Sequence, residues 1–172
     1  TGQGTVNALG MSAPDTCAAL AEGRCGISAI NVRDVERLSI RIGGQVRGFE
    51  PEDYFNRQQI ALYDRFTQFT VLAAREAIAQ SGIDFSGDLA LEAGVVLGTA
   101  GGGVNTWDEN YRTVYEDGKN RVHPFVVPKL MNNAAASHVS MENNLMGPSF
   151  SVSTACSSSN HAMGQAFHLI RG

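Results

Sequence analysis

The chain is short of lysine, short of cysteine and without any long apolar run. Only Lys119 and Lys129 are lysines, and 13 lysines and arginines stand against 17 aspartates and glutamates, a formal net charge of -4 over 172 residues. No basic tract is present to follow a phosphate backbone, and so weak an excess of acid does not make a polyanion, so nucleic acid is not an expected partner. The longest apolar runs, such as residues 95–97, fall far short of the ~20 residues a membrane-spanning helix needs, and no basic-then-apolar leader opens the sequence. The expectation is a soluble, cytoplasmic protein. Cys17, Cys25 and Cys156 form no CxxC pair, and an odd count argues against a disulfide framework. Each is expected to be reduced and free for packing or chemistry. What is present, 43% hydrophobic residues, suffices for one sizeable core. The sequence opens at Thr1 without a methionine and closes at Gly172 directly after a helical pattern, so a segment of a longer protein is expected.

Pro14 and Asp15 followed by an alanine-rich stretch predict a short helix entered from a Pro-Asp turn, with residues 24–26 ending it. A short strand is expected near Gln45 and Val46. From residue 60 to residue 80, Leu62, Phe66, Phe69, Ala73 and Ala77 recur at helical spacing, and Ser81-Gly82 supplies a stop. Residues 93–99 are uncharged and apolar, the pattern of a strand buried on both faces of a parallel sheet. Three glycines follow, then a short amphipathic helix over 107–115, a loop over 124–128, a helix over 130–144, a strand over 149–154 and a helix from Asn160. Alternation of strand and helix implies a layered α/β fold with right-handed crossovers.

The chemistry is expected where the last strand turns into the last helix. Cys156 sits at that junction, so its sulfur would face backbone N–H groups of the helix's first turn, which favour a thiolate nucleophile. The small neighbours leave room for a substrate, and the strand-turn-helix placement follows the logic of the serine elbow of hydrolases. The alternative is a small buried hydrophobe capped by serines. Residues 98–103 match neither GxGxxG nor a P-loop, so they are read as a tight turn or as room beside a ligand. They lie at a strand's carboxyl end, as Cys156 does, so both are expected to line one cleft. His161 is either a base for the thiol or a packing residue. His161 and His168 have no companions for a metal site. His138 is read as interior or interface, and Trp107 and Tyr111, four apart, as core.

The run Val152-Ser153-Thr154-Ala155-Cys156-Ser157-Ser158 resembles the active-site segment of the β-ketoacyl-acyl carrier protein synthases, the elongating condensing enzymes of fatty acid and polyketide synthesis. Further likenesses follow in the family's order: Thr1-Gly2-Gln3-Gly4 as the end of a first strand, Gly26-Ile27-Ser28, Asp64-Arg65-Phe66 with Gln68-Phe69, residues 98–103, Pro124-Phe125 with Val127-Pro128, and Gly147-Pro148-Ser149. The resemblance implies a thiolase-like α/β fold, a mixed sheet with helices on both faces, of which residues 1–172 are the N-terminal half. It implies that Cys156 takes an acyl group from acyl carrier protein, and that a malonyl-carrier thioester then loses carbon dioxide and condenses with it. Gly101, Gly102, Trp107 and Ser157 become candidate substrate-binding residues. No metal or organic cofactor is implied.

The family's two catalytic histidines, its supporting lysine and one oxyanion donor belong to the absent C-terminal half, and none of these roles falls to His123, His138, His161 or His168. Relatives of the bacterial fatty acid type often carry a bulky residue where Gly101 stands, which implies a longer or bulkier acyl chain here. Around Gln58, Ala61 and Leu62 several relatives place basic residues for the acidic carrier, and only Arg57 keeps a charge. A homodimer is implied, with residues 150–154 near its axis. Two other readings share the nucleophile or the fold: a thiolase-like coenzyme A acyltransferase, and a non-catalytic chain-length partner subunit, which usually lacks the cysteine.

Overall fold

A computed structural model describes all 172 residues. In chain order its helices and strands are α1 (Ala13–Ala21), β1 (Ile27–Ala29), β2 (Ile42–Gly44), α2 (Arg57–Leu62), α3 (Arg65–Ser81) and α4 (Asp88–Glu92). There follow β3 (Val95–Gly98), α5 (Val104–Tyr115), α6 (Val126–Leu130), α7 (Ala134–Glu142), β4 (Ser149–Val152) and α8 (Ser158–Arg171). Two compact units result, Thr1–Tyr54 with Leu72–Ile83, and Phe55–Val71 with Asp84–Gly172.

In the first unit, α1 starts one residue before the Pro-Asp pair. Ser12 caps it by accepting the Asp15 N–H at 3.2 Å, and Pro14 fits in the first turn because the N–H it lacks has no intrahelical partner there. The Glu76 carboxylate takes the Ala13 N–H at 2.8 Å and the Thr5 N–H at 3.0 Å. The expected strand at residues 1–4 is not formed. Gly2 and Gly4 instead press on the α3 backbone at Ala77 and Ala73, so closely that a Cβ on either would strike a carbonyl oxygen. The strand expected at Gln45 and Val46 is displaced to β2, which pairs antiparallel with β1. Gln45 leaves the backbone ladder because its side-chain amide replaces a rung, accepting from Asn31 N–H and donating to Asn31 C=O at 2.8 Å each.

In the second unit, the single helix expected over 60–80 is broken at Tyr63 and Asp64. Tyr63 is extended and buried, with its ring 5.6 Å from Phe55 and 4.3 Å from His138, while Asp64 starts a new helix by accepting the Gln68 N–H through its carbonyl. Along the first turns of α3 the buried positions are Thr67, Gln68 and Val71, with Phe66 and Phe69 only half-buried. The loop expected at 124–128 contains α6, since Pro128 sits in its first turn where its missing N–H costs nothing. Met131 is extended, so the helix expected from 130 starts at Ala134.

β3 and β4 are parallel, with Val95 opposite Ser149 and Gly98 opposite Val152. They carry α7, whose buried Ala134, Ala135, Ala136 and Val139 are small enough for close approach, and α8. The four strands therefore form one antiparallel and one parallel pair instead of one continuous sheet. Residues 95–98 are half-buried, not enclosed on both faces, because a two-stranded sheet leaves each strand an open edge. No helix is long and apolar enough to cross a membrane.

His138 on α7 is half-buried, and burial lowers its pKa below 6.5 against the opposing charge of Glu142. The folded protein thus favours the neutral imidazole. The stability this contributes is complete above pH 6.5 and is lost as pH falls through that value to the lower folded one. Urea midpoints measured from about pH 7.5 to about pH 5 should fall further in the wild type than in His138→Gln. Equal falls would remove the role assigned to this ring.

Candidate active site

β3 and β4 end side by side, and the Thr99 N–H donates to the Val152 carbonyl at 3.1 Å, carrying the pairing one residue further. From this shared end two loops leave, one holding the glycines at 101–103 and the other holding Cys156. The glycine loop and the cysteine are thus neighbours by topology, where ligands collect in open parallel sheets.

The Cys156 loop is a sharp elbow between β4 and α8. Ala155 adopts a left-handed conformation with φ +50°, which costs an L-residue about 1–2 kcal/mol. The strain is held by Ser158, a residue the sequence reading did not single out. Its hydroxyl accepts the Thr154 N–H at 2.9 Å and donates to the Ala155 carbonyl at 2.6 Å, and it is buried at the first position of α8. Ser157 adds a second clasp, donating from Oγ to the Thr154 carbonyl at 2.7 Å. The run of three serines after the cysteine was the available signal, since serine readily bonds its own nearby backbone.

Cys156 lies at the apex of this elbow and is exposed, so the buried-hydrophobe alternative does not describe it. Behind the elbow, Gly98 lets the first turn of α8 approach β3 so closely that any Cβ there would fall on the Ser158 carbonyl. Cys17 and Cys25 are also free and exposed, but neither sits at such a junction.

Gly101 is exposed and its loop is tied by the Thr99 hydroxyl donating to the Gly101 carbonyl at 2.6 Å. A Cβ at Gly101 would meet only Val104 Cγ2 at 3.7 Å, an ordinary contact. Gly102 differs: it packs on the backbone of residues 130–132, where a side chain has no room. Trp107 is one turn into α5. The core position expected from its spacing with Tyr111 is not observed; Trp107, Tyr111 and Tyr115 are 49%, 55% and 78% exposed and stack in a row, their centroids 5.8 and 5.6 Å apart. His161 is exposed and meets Gln165 at 3.4 Å, so the packing role does not hold for it, and His168 is likewise exposed.

The chain matches the N-terminal domain of beta-ketoacyl synthases over residues 1–172. It belongs to the β-ketoacyl synthase family. Among relatives of this β-ketoacyl synthase domain, 3-oxoacyl-[acyl-carrier-protein] synthase 2 of Staphylococcus aureus (strain N315) is 31% identical over 99% of the chain and 41% of its own length. Nodulation protein E of Rhizobium sp. (strain N33) is 37% identical over 99% of the chain and 42% of its own length. The solved ishigamide ketosynthase/chain length factor superposes with a TM-score of 0.86 at 23% identity, over 99% of this chain and 43% of that one. The chain thus has the thiolase-like α/β fold of the ketosynthases and spans about two-fifths of the length of the relatives it matches.

Proposed function

We propose that residues 1–172 form the N-terminal half of a 3-oxoacyl-acyl carrier protein synthase of fatty acid or polyketide synthesis, in which Cys156 is the acyl-accepting nucleophile. The observation that carries the reading is the elbow: an exposed cysteine follows a strained left-handed Ala155, with a buried serine locking the turn. In the first step the Cys156 sulfur attacks the carbonyl carbon of an acyl-carrier thioester, forming a new thioester and releasing the carrier's thiol. In the second, a malonyl-carrier thioester loses carbon dioxide and the resulting carbanion attacks the Cys156-bound carbonyl. The cysteine then leaves, giving a 3-oxoacyl product two carbons longer. Sulfur suits both steps, since it is a good nucleophile and a good leaving group. The histidines for decarboxylation would come from the C-terminal half, which makes the 172-residue segment alone inactive in condensation.

Acyl carrier protein is the proposed partner. The printed name of the Staphylococcus aureus relative includes it, and Arg57, next to Gln58 in sequence, is the cation kept in that stretch for an acidic surface. A homodimer built around residues 150–154 is supported by the open edge of β4, which pairs only with β3 in this chain. The three free cysteines agree with action in the reducing cytoplasm.

The test is intact-protein mass spectrometry of the longer parent after exposure to an acyl-carrier thioester. An acyl adduct is expected on the wild type and none on Cys156→Ala. An unmodified wild type whose Cys156 still reacts with a general thiol reagent would overturn the reading in favour of a non-catalytic partner subunit. Substrate length follows from Gly101. Because a Cβ at Gly101 would meet only Val104 Cγ2, Gly101→Ile is expected to keep the fold and shorten the acyl chains accepted, read as the spread of adduct masses from a mixed acyl-carrier pool. An unchanged spread would detach Gly101 from the acyl pocket.

A further inference from the structure

Gly103 stands at the N-cap of α5 and has no side chain to cap it. The acceptor arrives from 42 residues earlier in the chain: Asp64 Oδ2 takes the Thr106 N–H at 2.7 Å and the Thr106 hydroxyl at 2.6 Å. Thr106 is the third residue of α5, whose N–H an N-cap side chain ordinarily satisfies. A Cβ on Gly103 would come within 2.9 Å of the same Oδ2, so the Asp64 carboxylate fills the space of the missing cap. Asp64 also opens its own helix, with Oδ1 accepting the Phe66 N–H at 3.3 Å. One carboxylate, 4% exposed, therefore closes the first turns of two helices, and its negative charge faces the positive end of both helix dipoles.

The glycine loop runs straight into this cap. Gly103 donates to the Leu130 carbonyl at 3.0 Å and Gly102 is backed by residues 130–132, which leaves Gly101 as the member with open space beside it. The backing segment is itself tied to the strand that leads to Cys156, since Ser151 Oγ donates to the Asn132 carbonyl at 3.2 Å. The start of α5 thus sets how far Gly101 and Val104 stand from the end of β4.

We propose that Asp64 is a positioning residue that, through Thr106, holds the glycine loop in the place that limits the length of acyl chain Cys156 accepts. The proposal rests on the reading of Cys156 as the acyl-accepting nucleophile. With the cap weakened, the loop is released at Gly101 and longer chains enter.

Thr106→Val keeps the backbone N–H bond and nearly the same volume while removing the hydroxyl, Thr106→Ser restores it, and Asp64→Asn removes the charge. Hexanoyl- and hexadecanoyl-carrier thioesters compete for the longer parent, and the two adducts on Cys156 are read by intact mass alongside the thermal midpoint. Thr106→Val and Asp64→Asn should raise the long-to-short ratio about tenfold, with Thr106→Ser within about twofold of wild type. A merely structural cap predicts a lower midpoint and less of both adducts in equal proportion, and that result overturns the proposal. If Asp64→Asn does not fold, the Thr106→Val and Thr106→Ser pair decides. A wild type that takes neither acyl group overturns the Cys156 reading itself, an outcome distinct from an acylated wild type whose ratio no variant changes.

Discussion

Gly98→Ala should reduce acylation of Cys156 in the longer parent by about a hundredfold or more. The reason is steric and local. The added methyl would coincide with the Ser158 carbonyl, and both the β3 backbone and the first turn of α8 are held by hydrogen bonds, so neither yields freely. α8 must therefore move outward and carry the elbow with it. A displacement on the order of 1 Å at a reacting group is enough for a loss of that size, while the overpacking itself costs about 1–3 kcal/mol of stability. Gly101→Ala is the control for stability, because its methyl meets only Val104 Cγ2 at 3.7 Å and should leave the urea midpoint near wild type. Acylation rates by mass spectrometry and urea midpoints, measured on both variants, separate the two cases. Equal, small effects at positions 98 and 101 would show that the close approach of α8 to β3 does not set the elbow.

Ser158→Ala is expected to have the second largest effect, a loss of about 1–3 kcal/mol. The substitution removes one hydroxyl that serves both sides of the turn, leaving the Thr154 N–H without its acceptor and the Ala155 carbonyl with only the Ser158 backbone N–H at 3.1 Å. It also removes what opposes the left-handed strain of Ala155. Two consequences distinguish this from a generic loss of packing. Ala155→Gly, which makes φ +50° permissible at little cost, should be close to neutral or slightly stabilising alone. Combined with Ser158→Ala it should recover part of the loss, giving a coupling of at least about 0.5 kcal/mol in a double-mutant cycle. Strict additivity of the two substitutions, measured by chemical denaturation, would show that Ser158 and the strained turn act independently. Cys156 reactivity toward a small thiol reagent should stay high in Ser158→Ala even as acylation by a carrier thioester falls, because exposure survives and positioning does not.

The strand-turn-helix around Cys156 was legible because each part has its own local signature. Alternating Phe150 and Val152 mark a strand, the serines favour a turn and a cap, and Ala162, Ala166 and Ile170 recur at helical spacing. The long helix was legible in type but not in continuity. Its apolar period runs unbroken through Leu62 and Phe66, whereas the break at Tyr63 depends on partners outside the helix: Phe55 and His138 for the ring, and Thr106 for the neighbouring carboxylate. Periodicity counts residues on a face and carries no information about which residue will be needed elsewhere. Residues 1–4, which the resemblance implied to be a strand end, show a related limit: the missing side chains of Gly2 and Gly4 serve a close approach to Ala77 and Ala73. The limit of periodicity explains Trp107 as well. Its spacing from Tyr111 marks one helix face without saying whether that face is covered, and both rings stay about half exposed.

By itself, then, the sequence pointed to the cysteine proposed as nucleophile, to the helices and strands on either side of it, and to the family. Those depend on residue type and on spacing within one element. Tertiary structure alone decided that Asp64 caps α5, that Ser158 locks a strained turn, and that Gly98 at the end of β3 and Gly101 three residues on have opposite tolerance for a side chain. Each of those depends on which backbone or hydroxyl comes within about 3 Å across the fold, a quantity that hydrogen-bond geometry and close packing fix only after the chain has folded.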